Sequence, residues 1–152
     1  MGAKGYRRVI ATNRRARYDY ELGERFEAGL VLQGTEVKSL RGGHATLGDG
    51  YIALEDGEAW LYQVQIPIYR FGSRENHEPM RKRKLLLTLR ELARLERNLA
   101  TKGVSAVPIE LFFAGPWAKL AFAIGRGKKK HDKRQAERAS EDRREIRRAI
   151  DR

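Results

Sequence analysis

The C-terminal 27 residues constrain what this chain can fold into, because they are highly charged and have almost nothing to bury. Residues 126–152 hold twelve Lys or Arg against six Asp or Glu, which accounts for half of the net charge of +12. Their only large apolar residues are Ile146 and Ile150, one helical turn apart. So little apolar surface cannot offset an ordering cost of roughly 1–2 kcal/mol per residue. We therefore predict a compact domain followed by a basic tail that is disordered when free and becomes ordered on a polyanion.

Length and composition favour a single domain that binds nucleic acid. The chain has 152 residues, 41% of them hydrophobic, which suits one core of ordinary size and not two. A net charge of +12 favours a phosphate-rich partner, although a merely solvated basic surface would give the same balance. No apolar run approaches the ~20 residues that span a bilayer. There is no cysteine for disulfides or thiolate metal sites. The lack of a membrane-spanning apolar run predicts a cytosolic protein, whereas the lack of cysteine says little about the compartment.

Alternation of apolar and polar residues predicts about six strands. Two of them flank Asp56-Gly57, a dipeptide typical of two-residue hairpin turns. Another two are joined by Gly115-Pro116 and contain enough apolar residues to be mostly covered. The predicted strands are residues 16–22, 26–33, 51–54, 60–66, 104–113 and 117–124.

Two helices and one long loop complete the predicted elements. A short helix is expected from Thr35 to Arg41, with Thr35 as its N-cap and two glycines after it. Residues 69–84 are irregular and basic, and we predict a loop there. A second helix is expected to begin at a capping box that starts at Thr88 and to end at Gly103.

This set of elements predicts a mostly β fold with two or three helices. A small closed antiparallel barrel of the oligonucleotide-binding type suits about 120 residues and leaves no exposed strand edges. A flat sheet covered by helices on one side is the alternative. In either case the predicted domain covers residues 1–125 and the predicted tail covers residues 126–152.

The residue pattern argues against an enzyme. The three histidines, His44, His77 and His131, fall in a turn, a basic loop and the tail, without the spacing that would bring them together on a metal or a nucleophile. Glu78 follows His77, but Pro79 makes this segment a turn, so ordering of the loop is the more natural role. The glycines around His44 lack the Lys-Ser/Thr of a phosphate-binding loop. We expect no catalytic residue, metal or cofactor.

Two basic segments could bind RNA. Asn13 stands beside Arg14, Arg15 and Arg17, and Arg forks suit phosphates and base edges, although a solvated N-terminal arm would look the same. The run 81–84 is four cations leading into Leu85-Leu86-Leu87. We expect Leu85 and Leu87 in the core, whereas Leu86 could face outward and pack on an unstacked base.

Five segments, taken together and in order, carry a family resemblance. They are ATNRRARYDY (11–20), FEAGLVLQGTEVKSLRGG (26–43), DGEAWL (56–61), NHEPMRKRKLLL (76–87) and GRGKKKHDKR (125–134). The chain resembles the small protein B family, the bacterial transfer-messenger RNA-binding proteins of trans-translation. The resemblance implies an oligonucleotide-binding-type barrel that grips the tRNA-like domain of transfer-messenger RNA. It also implies a monomer when free that brings the alanine-charged RNA, together with elongation factor Tu, to stalled ribosomes.

The same resemblance implies functional residues. The family's RNA-binding asparagine, glutamate and central leucine match Asn13, Glu27 and Leu86. The carboxylate of Glu27, on the solvent-facing side of a predicted strand, could accept a hydrogen bond from a base amino group or a 2′-hydroxyl. We extend this predicted RNA-binding surface to the neighbouring cations Arg15, Arg17, Lys38, Arg83 and Lys84.

By the same resemblance, the tail would become helical in the empty messenger channel of the small ribosomal subunit. His131 would stack on a base of the decoding centre. The contacts with ribosomal RNA would come from Lys128, Lys129, Lys130, Asp132, Lys133 and Arg134. Residues 135–152 match by charge alone and Thr35 receives no role. A general structured-RNA-binding or ribosome-assembly protein is the alternative function, and an RNA-processing enzyme is a third, disfavoured one.

Overall fold

The computed structural model describes residues 7–72, 75–128 and 138. Its described part contains seven strands and three helices. The strands are β1 (Arg7–Thr12), β2 (Tyr20–Leu30), β3 (Tyr51–Glu55), β4 (Glu58–Tyr62), β5 (Arg83–Leu86), β6 (Val104–Ala114) and β7 (Trp117–Gly127). The helices are α1 (Ala16–Asp19), α2 (Gly34–Arg41) and α3 (Leu89–Leu99).

The strands form a closed antiparallel barrel. Hydrogen bonding follows the order β6-β3-β4-β5-β2-β7, and pairing of β7 with β6 closes this ring of six. The seventh strand, β1, joins β6 along residues 110–114, beyond the point where Ile52 of β3 pairs with Ala106. The prediction of a closed barrel is confirmed, and the alternative of a flat sheet is wrong.

Apolar side chains from the inner faces of the strands fill the barrel. Phe26 of β2 stacks on Phe122 of β7 with ring centroids 5.1 Å apart. The two longer helices each add one fully buried leucine to the core, Leu40 from α2 and Leu95 from α3. Because inner residues alternate with outer ones along each strand, the buried residues fix which side chains the outer face presents.

The first part of the chain differs from its prediction. Residues 16–19, predicted as the start of a strand, form the single turn of α1. The strand β2 that follows runs without a break through residues 23–25, where a register shift against β7 marks a bulge instead of a loop. Two predicted strands are therefore one long strand. The strand β1, which was not predicted, occupies the segment interpreted as an N-terminal arm.

Local turn and cap signals were more reliable. Asp56 and Gly57 have φ of 52° and 77°, as a two-residue hairpin turn between paired antiparallel strands requires, which confirms that prediction. Thr88 caps α3, accepting from the N–H of Glu91 at 3.1 Å while Glu91 Oε1 accepts from the N–H of Thr88 at 2.9 Å. The cap of α2 is Gln33 rather than Thr35.

The predicted strand 60–66 and the predicted loop 69–84 also need correction. The strand β4 stops at Tyr62, because Gln63 has φ of 59°, which an extended strand does not accommodate. The predicted loop 69–84 ends in the short strand β5. At the other predicted boundary, β7 continues to Gly127, two residues beyond residue 125. Within the described residues, no helix is long and apolar enough to cross a membrane.

Candidate nucleic-acid interface

The pairing of β2 with β5 builds the centre of the candidate interface. Gly29 stands opposite Leu86, and Leu30 stands opposite Leu85. Strand alternation buries Leu85 to 2% exposure and leaves Leu86 55% exposed on the outer face. No side chain of Gly29 covers Leu86 from the neighbouring strand. The predicted outward orientation of Leu86 is therefore confirmed, and Leu86 is an apolar projection where RNA could contact the barrel.

Glu27 lies on the same outer face of β2 and is exposed. It forms an ion pair with Arg7 Nη1 of β1 at 3.3 Å. Arg7 also bonds Glu110 of β6, and its guanidinium carbon is 3.7 Å from the ring centre of Phe112. Hydrogen bonding of the Arg7 guanidinium to the Glu110 carboxylate is the main cause that raises the pKa of Arg7, opposed by burial and assisted by Glu27. Glu27 therefore presents a carboxylate whose position is set by Arg7.

Asn13, which was expected on the RNA-binding surface, is buried. It is only 7% exposed, its N–H donates to Ile109 O at 2.8 Å, and its Nδ2 donates to Pro108 O at 2.9 Å. Both bonds tie the end of β1 to β6. Asn13 also lines a partly open pocket of about 430 Å³, together with Tyr20 and Ser105. Asn13 thus supports the neighbouring surface from within the fold.

The arginines after Asn13 surround helix α1 on the surface. Arg15 is exposed, pairs with Asp19 through Nε at 3.6 Å, and has its guanidinium 5.6 Å from the ring centre of Tyr18. Arg17 is also exposed. The structure therefore places Arg15 and Arg17 where a phosphate backbone could reach them, on a helical turn and not before a strand as predicted.

The basic run 81–84 is divided between the outside and the inside of the protein. Lys82 and Lys84 point outward and pair with Glu55 at 3.2 Å and Glu58 at 2.9 Å. Lys82 Nζ also lies 4.6 Å from the ring centre of Trp60. Strand pleating sends Arg83, between them, into the core.

Arg83 corrects the prediction of a surface cation, because it is 0% exposed. Its Nε donates to Glu36 Oε2 at 2.5 Å, its Nη1 to Val64 O at 2.5 Å and its Nη2 to Pro79 O at 3.0 Å. Arg81 bonds the second oxygen of Glu36. A side chain held in this way cannot contact RNA unless the barrel opens, so Arg83 joins α2 to β5 instead.

The buried carboxylate of Glu36 is stabilised in its charged form. Burial alone would raise the pKa of Glu36. Hydrogen bonds from Arg81 and from the N–H of Gln33, together with attraction to Arg83, outweigh burial and hold the pKa below its ordinary value. Burial lowers the pKa of Arg83, and Glu36 opposes that shift. Sequence reasoning missed Glu36, for which the only signal was an acidic residue on a short helix.

The structure also places Lys38, the remaining predicted RNA-binding cation, and two of the three histidines. Lys38 is exposed on α2, with Nζ 5.7 Å from the ring centre of Tyr69. His77 is buried, and its ring nitrogens bond Thr35 Oγ1 at 2.9 Å and Ile66 O at 2.8 Å, so the predicted loop-ordering role is confirmed and Thr35 gains a partner. His44 is exposed. Among the described residues, no group of three His, Cys, Asp or Glu could hold a metal ion.

The chain matches the family model described as SmpB protein over residues 10–152. The chain belongs to the SmpB family. The SsrA-binding protein of Acidothermus cellulolyticus is 49% identical over 152 residues, which cover 100% of this chain and 96% of that relative. The SsrA-binding protein of Streptomyces coelicolor is 49% identical over 150 residues, which cover 99% and 94% of the two chains.

A solved structure described as "tmRNA-SmpB: a journey to the center of the bacterial ribosome" contains a similar chain. It has 43% sequence identity and a TM-score of 0.69, and the match covers 86% of this chain and 95% of that one. The resemblance inferred from the sequence motifs is therefore confirmed, and the barrel is the fold shared with that SmpB chain.

Of the tail residues predicted to contact the ribosome, Lys128 alone lies in the described part of this SmpB-family chain. The N–H of Lys128 donates to Asp19 O at 2.9 Å, and its Nζ donates to Arg17 O at 2.7 Å. The beginning of the tail is thus attached to α1, beside the exposed arginines. The other predicted tail contacts, Lys129, Lys130, His131, Asp132, Lys133 and Arg134, lie outside the described residues.

Proposed function

We propose that this chain is the RNA-binding adaptor of trans-translation. In this role the barrel binds the tRNA-like domain of transfer-messenger RNA and delivers it to stalled ribosomes in the cytoplasm. The relatives are named SsrA-binding proteins, and the similar solved chain is described with transfer-messenger RNA and the bacterial ribosome. The observation that carries the proposal is the family match over residues 10–152 in a chain whose outer face presents Leu86 among cations.

The proposed RNA-binding surface consists of Leu86, Glu27, the exposed cations Arg15, Arg17 and Lys38, and the half-buried cation Lys84. Arg and Lys supply phosphate contacts, and Glu27 supplies an acceptor for a base amino group or a 2′-hydroxyl. Asn13 is assigned an indirect role, because its amide holds β1 against β6 beneath this surface. Arg83 is left out of the surface because it is buried.

A competition gel tests the RNA partner. Labelled tRNA-like domain is bound to the full chain and then challenged with unlabelled tRNA-like domain or with ordinary transfer RNA. The adaptor requires preference for the tRNA-like domain. Equal displacement by ordinary transfer RNA would instead support a general structured-RNA-binding or ribosome-assembly protein. Turnover of RNA by the pure protein with divalent metal would point to an RNA-processing enzyme.

The tail is proposed to sense the empty messenger channel. Its excess of cations and shortage of apolar residues suit a helix that forms only where phosphates replace a protein core, and bound messenger would exclude it. In this role His131 stacks on a base of the decoding centre, while Lys128 to Lys130 and Asp132 to Arg134 contact ribosomal RNA. Elongation factor Tu is proposed as the carrier of the alanine-charged complex.

Truncation after Lys128 tests this division of labour, since it keeps both hydrogen bonds between Lys128 and α1. The truncated protein is expected to bind the tRNA-like domain with nearly the affinity of the full chain and to lose peptide tagging on stalled ribosomes. Equal loss of both activities would contradict separate roles for barrel and tail.

A further inference from the structure

An exposed aromatic side chain stands beside the candidate interface without a structural reason. Phe71 is 78% exposed, in the loop between β4 and β5. Its ring lies edge-on to that of Tyr69, with centroids 5.8 Å apart and an interplanar angle of 71°. A ring this exposed to water adds little to the core, and an exposed apolar group of this kind is typical of a site that binds a partner.

The loop that carries these rings is held in place by hydrogen bonds. Asn76 accepts from the N–H of Tyr69 at 3.1 Å through Oδ1 and donates to its carbonyl at 2.8 Å through Nδ2. Gly72 N–H donates to Tyr69 O at 2.9 Å. A Cβ added to Gly72 would lie 2.4 Å from Asn76 Nδ2, so a larger residue there would displace the Asn76 side chain from its bonds to Tyr69. Ser39 Oγ of α2 donates to Pro67 O at 2.5 Å. The rings are therefore presented by a fixed backbone.

Cations flank both rings. Lys38 Nζ lies 5.7 Å from the ring centre of Tyr69, and the guanidinium carbon of Arg70 lies 5.8 Å from that of Phe71. Residues 67–72 contain no Asp or Glu. Phe71 is exposed and Tyr69 is half-buried. Rings at the surface with adjacent cations suit a single-stranded nucleotide, because the base stacks on a ring and the phosphate pairs with a cation.

We propose that Phe71 and Tyr69 form a stacking platform for an unpaired base of the tRNA-like RNA, with Lys38 and Arg70 on the flanking phosphates. This inference rests on the proposed function, which it extends to a second contact on the same RNA. We favour this RNA over ribosomal RNA because the two rings are continuous with the proposed RNA-binding surface, to which Lys38 already belongs. Its helix is also bonded to the edge of that surface, since Glu36 of α2 holds both Arg81 and Arg83.

Binding of the full chain to the tRNA-like RNA tests the platform. Phe71→Ala is expected to weaken binding roughly 5- to 150-fold, the range for loss of one base–aromatic stack. Phe71→Leu, which keeps apolar area but no ring, is expected to be nearly as weak, and Phe71→Trp is expected to retain affinity. Ile68→Ala is the matched control, because Ile68 is 59% exposed in the same loop and has no ring.

Salt dependence tests the cations independently. Lys38→Ala is expected to reduce the slope of log K against log salt concentration by about 1, whereas Phe71→Ala is expected to leave the slope unchanged. An unchanged thermal midpoint confirms that each exposed-residue variant remains folded.

The outcomes separate this inference from the proposed function. If the wild-type chain fails to prefer the tRNA-like domain over transfer RNA, the proposed function fails. The ratio of the Phe71→Ala affinity to the wild-type affinity, measured on either RNA, still shows whether a base stacks on Phe71. Wild-type affinity in Phe71→Ala, or in Phe71→Leu, would overturn the platform. Unchanged RNA affinity with weakened ribosome association would overturn it in favour of a ribosomal contact.

Discussion

Replacement of Arg83 by methionine is expected to destabilise the barrel by about 4 kcal/mol. Methionine fills much of the same volume, so the loss comes from polar groups and not from a cavity. Glu36, 0% exposed, would keep only Arg81 as a guanidinium partner. Val64 O would lose its donor, and Pro79 O would keep only the N–H of Ile66. Breaking a buried pair costs about 3–5 kcal/mol, and each orphaned carbonyl about 1–3 kcal/mol. Because Arg81 still bonds Glu36 and only the carbonyl of Val64 is orphaned, both costs are expected at their lower values, about 3 and about 1 kcal/mol, which gives a total of about 4 kcal/mol.

Urea unfolding followed by tryptophan fluorescence measures this loss, since Trp60 and Trp117 lie on β4 and β7. The thermal midpoint is expected to fall by about 8–16 °C. Lys84→Met is the matched control, because Lys84, the residue after Arg83, pairs with Glu58 on the outer face of the barrel, and such surface pairs contribute about 0–1 kcal/mol. If both variants lose less than about 1 kcal/mol, the buried pair does not stabilise the fold and this reasoning is refuted.

Four further outcomes are expected. Glu36→Gln should lose less free energy of unfolding than the wild-type chain between about pH 6 and about pH 3. The folded pKa of Glu36 lies below its ordinary 4.5, so its stabilising contribution is present above 4.5 and is lost as the pH falls through the folded pKa. Parallel curves of stability against pH for the two proteins would contradict this. Thr88→Ala should cost about 1 kcal/mol in urea unfolding by removing the cap of α3, with Thr101→Ala, beyond the helix, as control. Asn13→Ala should lower the thermal midpoint as well as RNA affinity, because the bond to Pro108 O is lost; affinity loss at an unchanged midpoint would indicate a direct RNA contact. Leu86→Ala should lower RNA affinity at an unchanged midpoint, since Leu86 is 55% exposed, and an unchanged affinity in gel shifts would remove it from the proposed surface.

The elements that the sequence predicted correctly depend on local physics. The Asp56-Gly57 turn needs only two residues that tolerate positive φ, and the capping box of α3 needs only Thr88 and Glu91 three residues apart. The elements missed depend on distant partners. The strand β1 exists because β6 offers it an edge, and β2 passes its bulge because β7 pairs on both sides of residues 23–25.

The candidate site divides in the same way. The outward position of Leu86 follows from the pattern of three leucines, because one of them must leave the core. The burial of Asn13 could not be read from its neighbours, since the partner carbonyl of Pro108 lies 95 residues away. The platform at Phe71 was missed because only the folded loop shows that its ring is left open beside cations.

The burial of Arg83, by contrast, could have been predicted from the sequence. Once Leu85 is assigned inward and Leu86 outward on one strand, a period of two places Lys84 outward and Arg83 inward. A buried guanidinium then requires a buried carboxylate, and Glu36 on the helix after β2 supplies it. The pair fixes β5 in the register that presents Leu86 and Lys84 to solvent. Loss of RNA affinity in an Arg83 variant would therefore report displacement of β5, and it would come with loss of stability.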